Sequence, residues 1–137
     1  MIICQPNTFE FDFIKAHIAK FELDDRELKK EEFLIVKDIE NKVVAFGRIR
    51  KHSTCEELCS LGVIEPQRLK GIGRILSEEL IKKSGGPLFL TCIIPVFFEP
   101  LGFQITKEYP HELKEKLNYC IDKLCVPEEY VVMKFIK

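Results

Sequence analysis

Between Glu57 and Leu80 the chain reads ELCSLGVIEPQRLKGIGRILSEEL: a strand-like run, a loop stopped by Pro66, then an amphipathic helix opening at two glycines. Without a Cβ, Gly71 and Gly73 let the backbone approach a ligand and adopt turns that other residues resist. The first N–H groups of such a helix are unpaired and the positive end of its dipole lies there, so a pyrophosphate fits at that point. Arg68, Lys70 and Arg74 bring cationic charge to the same place, whereas the whole chain has a net charge of only −1. Any anion site is therefore local, and general attraction to nucleic acid is not expected.

Two familiar phosphate loops are excluded by the residues themselves. The Walker pattern ends in Gly-Lys-Ser/Thr, which is absent. The dinucleotide fingerprint needs glycine or alanine where Leu76 stands, and no suitable ribose-binding residue follows. What remains is Arg/Gln-x-x-Gly-x-Gly/Ala, matched by Arg68, Gly71 and Gly73.

The surrounding pattern is that of a mixed α/β sheet. Asn7 and Glu10 form a capping box, after which Phe13, Ile14, His17, Ile18 and Phe21 recur at helical spacing. His17 is expected to pack at the rim of that apolar face. The charged stretch Asp24 to Glu32 reads as a short helix or turn with a solvated face. Phe33–Lys37 and Lys42–Arg50 form a hairpin, and Glu56–Ile64 a further strand ending at Pro66. In the helix after the glycines, Ile72, Ile75, Leu76 and Leu80 share one face, with Arg74, Glu78 and Lys82 opposite. Ser84-Gly85-Gly86-Pro87 ends it, and Leu88–Ile94 reads as a strand buried on both faces. A short helix from Pro95 to Leu101, strands at Phe103–Tyr109 and Tyr130–Ile136, and a helix from His111 to Leu124 complete the order.

A chain of 137 residues fits one domain, residues 1–137. No signal peptide is evident, and the most apolar segment, from Leu88 to Phe98, is too short to span a bilayer. Cys55/Cys59 and Cys120/Cys125 lack the spacing of zinc knuckles, so the six cysteines are expected to be free thiols, with no metal and a cytoplasmic location.

Order and spacing together resemble the GNAT superfamily of N-acetyltransferases. The resemblance runs from FLIVKDIENKVVAFGRIR through ELCSLGVIEPQRLKGIGRIL to FFEPLGFQ. It implies the acyl-CoA N-acyltransferase fold: a mixed, mostly antiparallel sheet of about six or seven strands flanked by helices, with a V-shaped splay between the fourth and fifth strands. It also implies acetyl-CoA as co-substrate. The backbone of Leu61 and Val63 is expected along the pantetheine arm, and that of Leu69, Lys70, Gly71, Ile72, Gly73 and Arg74 around the pyrophosphate, with Arg68 and Lys70 alongside. Gly62 suits a local bulge at the splay. The expected acceptor is a small amine or amino acid, attacked directly in a ternary complex; a homodimer is compatible with the family.

Within that resemblance Glu57 occupies the position of the general base, because an ammonium must lose a proton before attacking a thioester. Phe98 stands where a tyrosine would protonate the departing thiolate, so it reads as a pocket wall or as core. Ser60, Cys92, Tyr109 or a water would then supply that proton, or the thiolate would leave unassisted. Cys92 has a second reading as an acyl carrier and a plainer one as a small buried side chain. Phe97 to Tyr119 is most similar to the acetyltransferase domain of N-acetylglutamate synthases, but CIDKLCVPEE replaces the arginine-rich stretch expected after Asn118-Tyr119. Arg48 and Arg50 either hold an acceptor carboxylate or, the reading favoured on alternation alone, face solvent. Two other functions fit the same fold: a sensor that binds acetyl-CoA without turnover, and an enzyme acting on a protein or peptide amine.

Overall fold

Asn7 starts the first helix as its spacing to Glu10 predicts. In the computed structural model, which describes residues 1–64, 71–124 and 126–136, the Asn7 side chain accepts from the Glu10 N–H at 2.7 Å and the Glu10 carboxylate accepts from the Asn7 N–H at 2.9 Å. The reciprocal pair satisfies two donors that a helix start leaves open. The helix, α1, runs Thr8–Lys20 and buries Ile14 and Ile18, with His17 half-buried at the edge of that face.

Among the described residues seven strands form one sheet: β1 (Ile2–Cys4), β2 (Phe33–Lys37), β3 (Val43–Lys51), β4 (Glu56–Val63), β5 (Leu88–Cys92), β6 (Phe103–Ile105) and β7 (Val131–Phe135), in spatial order β1-β2-β3-β4-β5-β7-β6. All neighbours are antiparallel except β4 and β5. The other helices are α2 (Ile72–Lys83), α3 (Pro95–Phe98) and α4 (His111–Lys123). Side-chain alternation divides the sheet into two faces. Leu88, Leu90, Cys92 and Met133 pack with Ile72, Leu76 and Leu80 of α2. Phe89 and Val132, one residue out of phase, pack with Leu113 of α4. On the α4 side, α1 covers Phe33, Ile35 and Phe46.

Several expectations change. The strand β1 was not anticipated; it pairs with β2 from Ile2↔Lys37 to Cys4↔Ile35. The strand expected to run from Phe103 to Tyr109 ends at Ile105. Ile75, placed on the apolar face of α2, is 44% exposed, and Ser77 is buried with its hydroxyl donating to the Gly73 carbonyl at 2.7 Å. The stretch from Asp24 to Glu32 is a turn and a short 3-10 segment, but Asp24 and Glu32 themselves are buried. Arg48 and Arg50 are buried too, so the solvated reading of both is wrong.

The bulge in β4 also lies elsewhere than expected. Pairing with β3 runs Phe46↔Gly62 and then Arg48↔Cys59, so the extra residue falls at Ser60–Leu61. Ser60 has φ 54°, a left-handed conformation that side chains resist. Its hydroxyl donates to the Asp24 carbonyl at 2.7 Å and accepts from Arg48 Nε at 3.1 Å, which offsets the strain. Gly62 serves packing instead: a Cβ there would lie 2.5 Å from the ring of the buried Phe46. Gly62→Ala should therefore lower stability by about 1–3 kcal/mol, read from urea unfolding at constant slope. A change below about 0.5 kcal/mol would show that the ring shifts freely.

Candidate functional site

The parallel ladder between β4 and β5 consists of Glu56↔Leu88 and Glu57↔Phe89 and then stops. β4 continues along β3 to Ala45↔Val63, while β5 continues along β7 to Cys92↔Val131. The two strands therefore part, and a cavity of about 260 Å³ lies between them. Its α2-side wall is apolar, contributed by Leu58, Leu61, Leu90, Cys92 and Phe98. Its α4-side wall carries the polar groups, Asp24, Cys59, Thr91, Lys116 and Tyr130, among apolar Phe21, Leu23, Cys120 and Leu124.

The first turn of α2 adjoins the end of β4. Gly71 caps the helix in the left-handed conformation, φ 71°, with nothing among the described residues within 4 Å of where a Cβ would sit. At Gly73 a Cβ would touch Val63 and Phe97 at 3.4 and 3.5 Å. The first turn of α2 itself holds no acidic residue that would compete for its open amides. Ile72 is buried in the core, and the exposed Arg74 lies 3.7 Å from Glu78. Arg68, Leu69 and Lys70 lie outside the described residues. The residues present suit a diphosphate at this turn and an extended, amide-bearing arm between β4 and β5.

Lys116 organises the polar wall. Its ammonium lies 2.8 Å from Asp24 Oδ2 and 2.7 Å from Glu57 Oε2, the latter a contact of charge rather than an aligned hydrogen bond. The other Glu57 oxygen is 2.9 Å from His52 Nε2. Asp24 also accepts from Arg26 through two nitrogens, each at 3.0 Å. Burial alone would raise the pKa values of both carboxylates. For Glu57 the Lys116 charge and the His52 hydrogen bond outweigh burial and bring it to about 2; for Asp24 the Arg26 and Lys116 contacts bring it well below the carboxylate range. Burial would lower the Lys116 pKa, but the neighbouring Cys59, Glu57 and Asp24 raise it, so the ammonium stays charged.

Asp24, Glu57 and Cys59 offer ligand atoms within 4.8 Å of one another, as a metal would require. The lysine charge already bridges the two carboxylates, and burial pushes the Cys59 thiol up to about 11.

The sequence-predicted site residues fall into two groups. Leu61, Cys92 and Phe98 line the cavity. Cys92 is buried, its thiol is pushed up to about 11 by desolvation, and Sγ lies 3.7 Å from Met133 Sδ. Phe98 packs edge-on against Phe97 and Phe103 in the core. Tyr109 packs in the separate cluster around Phe89 and Leu113. Glu57 is wholly buried behind Lys116 and does not line the cavity. Arg48 is wholly buried as well; it donates to Ser60 Oγ and to the carbonyls of Arg26 and Glu27, and pairs with Glu32. Asp24, Thr91, Lys116 and Tyr130 were not singled out from sequence. Lys116 left a signal: it shares a helical stripe with Leu113 and Cys120, an unusual place for a lysine.

A larger cleft of about 730 Å³ lies between the start of α1 and the β2–β3 hairpin, ending at Ile64, where the described chain breaks off. Two of its acidic groups are engaged locally: Glu10 caps α1 and pairs with Lys37, and Asp38 closes the hairpin turn. The cavity between the parted strands is the better candidate because reacting groups converge there. Among the described residues no helix is long and apolar enough to cross a membrane.

The sequence profile of the acetyltransferase (GNAT) family matches residues 4–95. No match is found among curated proteins. Solved structures share the fold. Rv2747 from Mycobacterium tuberculosis, crystallised with CoA, aligns with a TM-score of 0.79 at 16% identity over 100% of this chain and 99% of its own. N-acetylglutamate synthase from Neisseria gonorrhoeae, complexed with coenzyme A and N-acetyl-glutamate, gives 0.75 at 18% identity, over 99% of this chain and 35% of its own. Arabidopsis thaliana Naa50, in complex with the bisubstrate analogue CoA-Ac-MVNAL, gives 0.67 at 16% identity, over 99% and 98%.

The Asp24–Lys116–Glu57 cluster makes the fold sensitive to acid. Both carboxylates have native pKa values below their unfolded ones. The stability they add is complete above about pH 5, declines below that, and disappears as pH falls through the native values. Urea midpoints should therefore decline steeply from pH 4 towards pH 2. Lys116→Met, which takes the shared cation from two buried carboxylates, should destabilise the protein at pH 7 by about 3–5 kcal/mol. Unchanged midpoints in either experiment would contradict this account of the cluster.

Proposed function

Because this chain belongs to the acetyltransferase (GNAT) family, we propose that it transfers an acetyl group from acetyl-CoA to the amine of a small molecule or amino acid. The observation that carries this reading is the parting of β4 from β5 beside an acid-free helix start. The backbone amides at Gly71, Ile72, Gly73 and Arg74 hold the diphosphate, with Arg68, Leu69 and Lys70 completing that loop. Leu61 and Val63, on the stretch of β4 beyond its ladder with β5, align the pantetheine arm. Bound there, acetyl-CoA supplies an electrophilic thioester carbonyl. The apolar wall of Leu58, Leu90, Cys92 and Phe98 excludes water from it.

The acceptor approaches from the α4 side. Glu57, ionised and enclosed, acts there as the counter-charge that holds Lys116 at the cavity wall, and the proton of the acceptor ammonium leaves through water. Glu57, at the position the resemblance gives to a base, thus takes a positioning role. Glu57→Gln should loosen Lys116 and raise the acceptor KM, while the pH dependence of kcat/KM continues to follow the acceptor amine. Loss of the pH dependence itself would restore Glu57 as the base. Cys92, with a thiol that remains protonated at neutral pH, serves as wall; Cys92→Ala should leave the rate within about threefold.

Phe98 favours a second reading, a module that binds acetyl-CoA without turnover, since it offers no proton to a departing thiolate. Release of free thiol from acetyl-CoA, followed over a panel of amines, amino acids and short peptides, separates the readings. Amine-dependent release is expected, with small acceptors preferred. Arg74→Glu should weaken coenzyme binding about tenfold through repulsion at the helix start. Tight coenzyme binding without release by any acceptor would leave the sensor, and release with peptides alone would leave a peptide acetyltransferase.

A further inference from the structure

The cavity between β4 and β5 has hydrogen-bonding groups on its α4 side that the fold itself does not use. Thr91 lines it from β5, and its Oγ1 is buried with no hydrogen-bond partner among the described residues. Tyr130 lines it from the residue before β7, half-buried, and its hydroxyl makes no hydrogen bond among the described residues. A buried hydroxyl without a partner is costly, which singles out Thr91, while the half-buried Tyr130 keeps its hydroxyl accessible. The other cavity hydroxyl, on Ser60, is spent between Asp24 and Arg48.

Register places the two residues as diagonal neighbours on one face. Thr91 pairs with Val132 and Cys92 with Val131, so Tyr130 follows opposite Ile93, on the same face as Thr91. That face also carries Lys116, whose ammonium donates one hydrogen bond to Asp24 and meets Glu57 as a charge contact, so donor capacity remains. Burial raises the Tyr130 pKa, so its phenol remains a donor at neutral pH. Three donors therefore line one side of a cavity whose other side is apolar.

We infer that Thr91 and Tyr130, with Lys116, bind a carbonyl or carboxylate oxygen carried by the acceptor next to its amine, and so select amines of that kind over plain alkylamines. The inference rests on the transferase reading and specifies the acceptor side of the same site. The amine nitrogen attacks the thioester carbon and the C–S bond breaks; the thiolate leaves, and the nitrogen's proton goes to solvent. Thr91 and Tyr130 take no part in that exchange. They orient the nucleophile from the sheet face opposite the acyl donor.

The test is steady-state kinetics at saturating acetyl-CoA, with L-amino acids and their amides against unbranched alkylamines of equal length. Wild type should prefer the carbonyl-bearing amines by at least about tenfold in kcat/KM. Thr91→Val and Tyr130→Phe should each raise the acceptor KM about tenfold, with the acetyl-CoA KM and melting temperature unchanged; Thr91→Ser, which keeps the hydroxyl, should restore the wild-type KM. Should Tyr130→Phe not fold, the Thr91→Val and Thr91→Ser pair decides. Unchanged acceptor KM in the variants, or equal use of alkylamines by wild type, overturns the inference and leaves the transferase reading standing. No turnover by wild type with any amine removes both.

Discussion

A parallel ladder of two residue pairs, Glu56↔Leu88 and Glu57↔Phe89, holds the two halves of the sheet together, and everything functional begins where it ends. Beyond it, β4 stays with β3 and β5 stays with β7. Parted strands expose backbone groups that must find partners elsewhere or be supplied with them by a ligand. The same parting brings the end of β4 against the first turn of α2, where Gly73 lies within van der Waals reach of Val63 and Phe97. An open strand edge and an open helix start thus meet at one place.

What keeps the opening from collapsing is charge. Asp24 and Lys116 are 92 positions apart in sequence, yet their side chains meet at 2.8 Å, fastening α4 to the turn after α1. Glu57 joins them from β4, where it is itself one half of the last ladder pair. Arg48 secures the same turn through the carbonyls of Arg26 and Glu27 and the hydroxyl of the strained Ser60. Removing one member leaves others charged and buried, which costs far more than an exposed pair would. The cluster is therefore structural on one side and forms the wall of the cavity on the other.

Local signals made much of this legible in the sequence. The capping box at Asn7, the β2–β3 hairpin, the stripe of Ile72, Leu76 and Leu80 and the turn at Ser84 each depend on residues a few positions apart, and each is where its pattern predicts. The family resemblance supplied the splay, which no local pattern encodes. Long-range choices were not legible. β1 is three residues long and takes its identity from β2. Charged residues between Asp24 and Glu32, and at Arg48 and Arg50, read as solvated because burial of a charge depends on partners brought by distant segments. The bulge was expected at a glycine, yet it falls at Ser60, whose left-handed backbone is held by hydrogen bonds from two other segments. Thr91 and Tyr130 carried no signal at all, since a free hydroxyl is recognised only once its surroundings are known.

The account turns on where the coenzyme lies. A crystal structure of the protein with coenzyme A should show the diphosphate on the first-turn amides of α2 at Gly71–Arg74 and the pantetheine between β4 and β5, extended along Leu61 and Val63. Coenzyme bound in the cleft beside α1, or an unoccupied α2 terminus at saturating coenzyme, would contradict it.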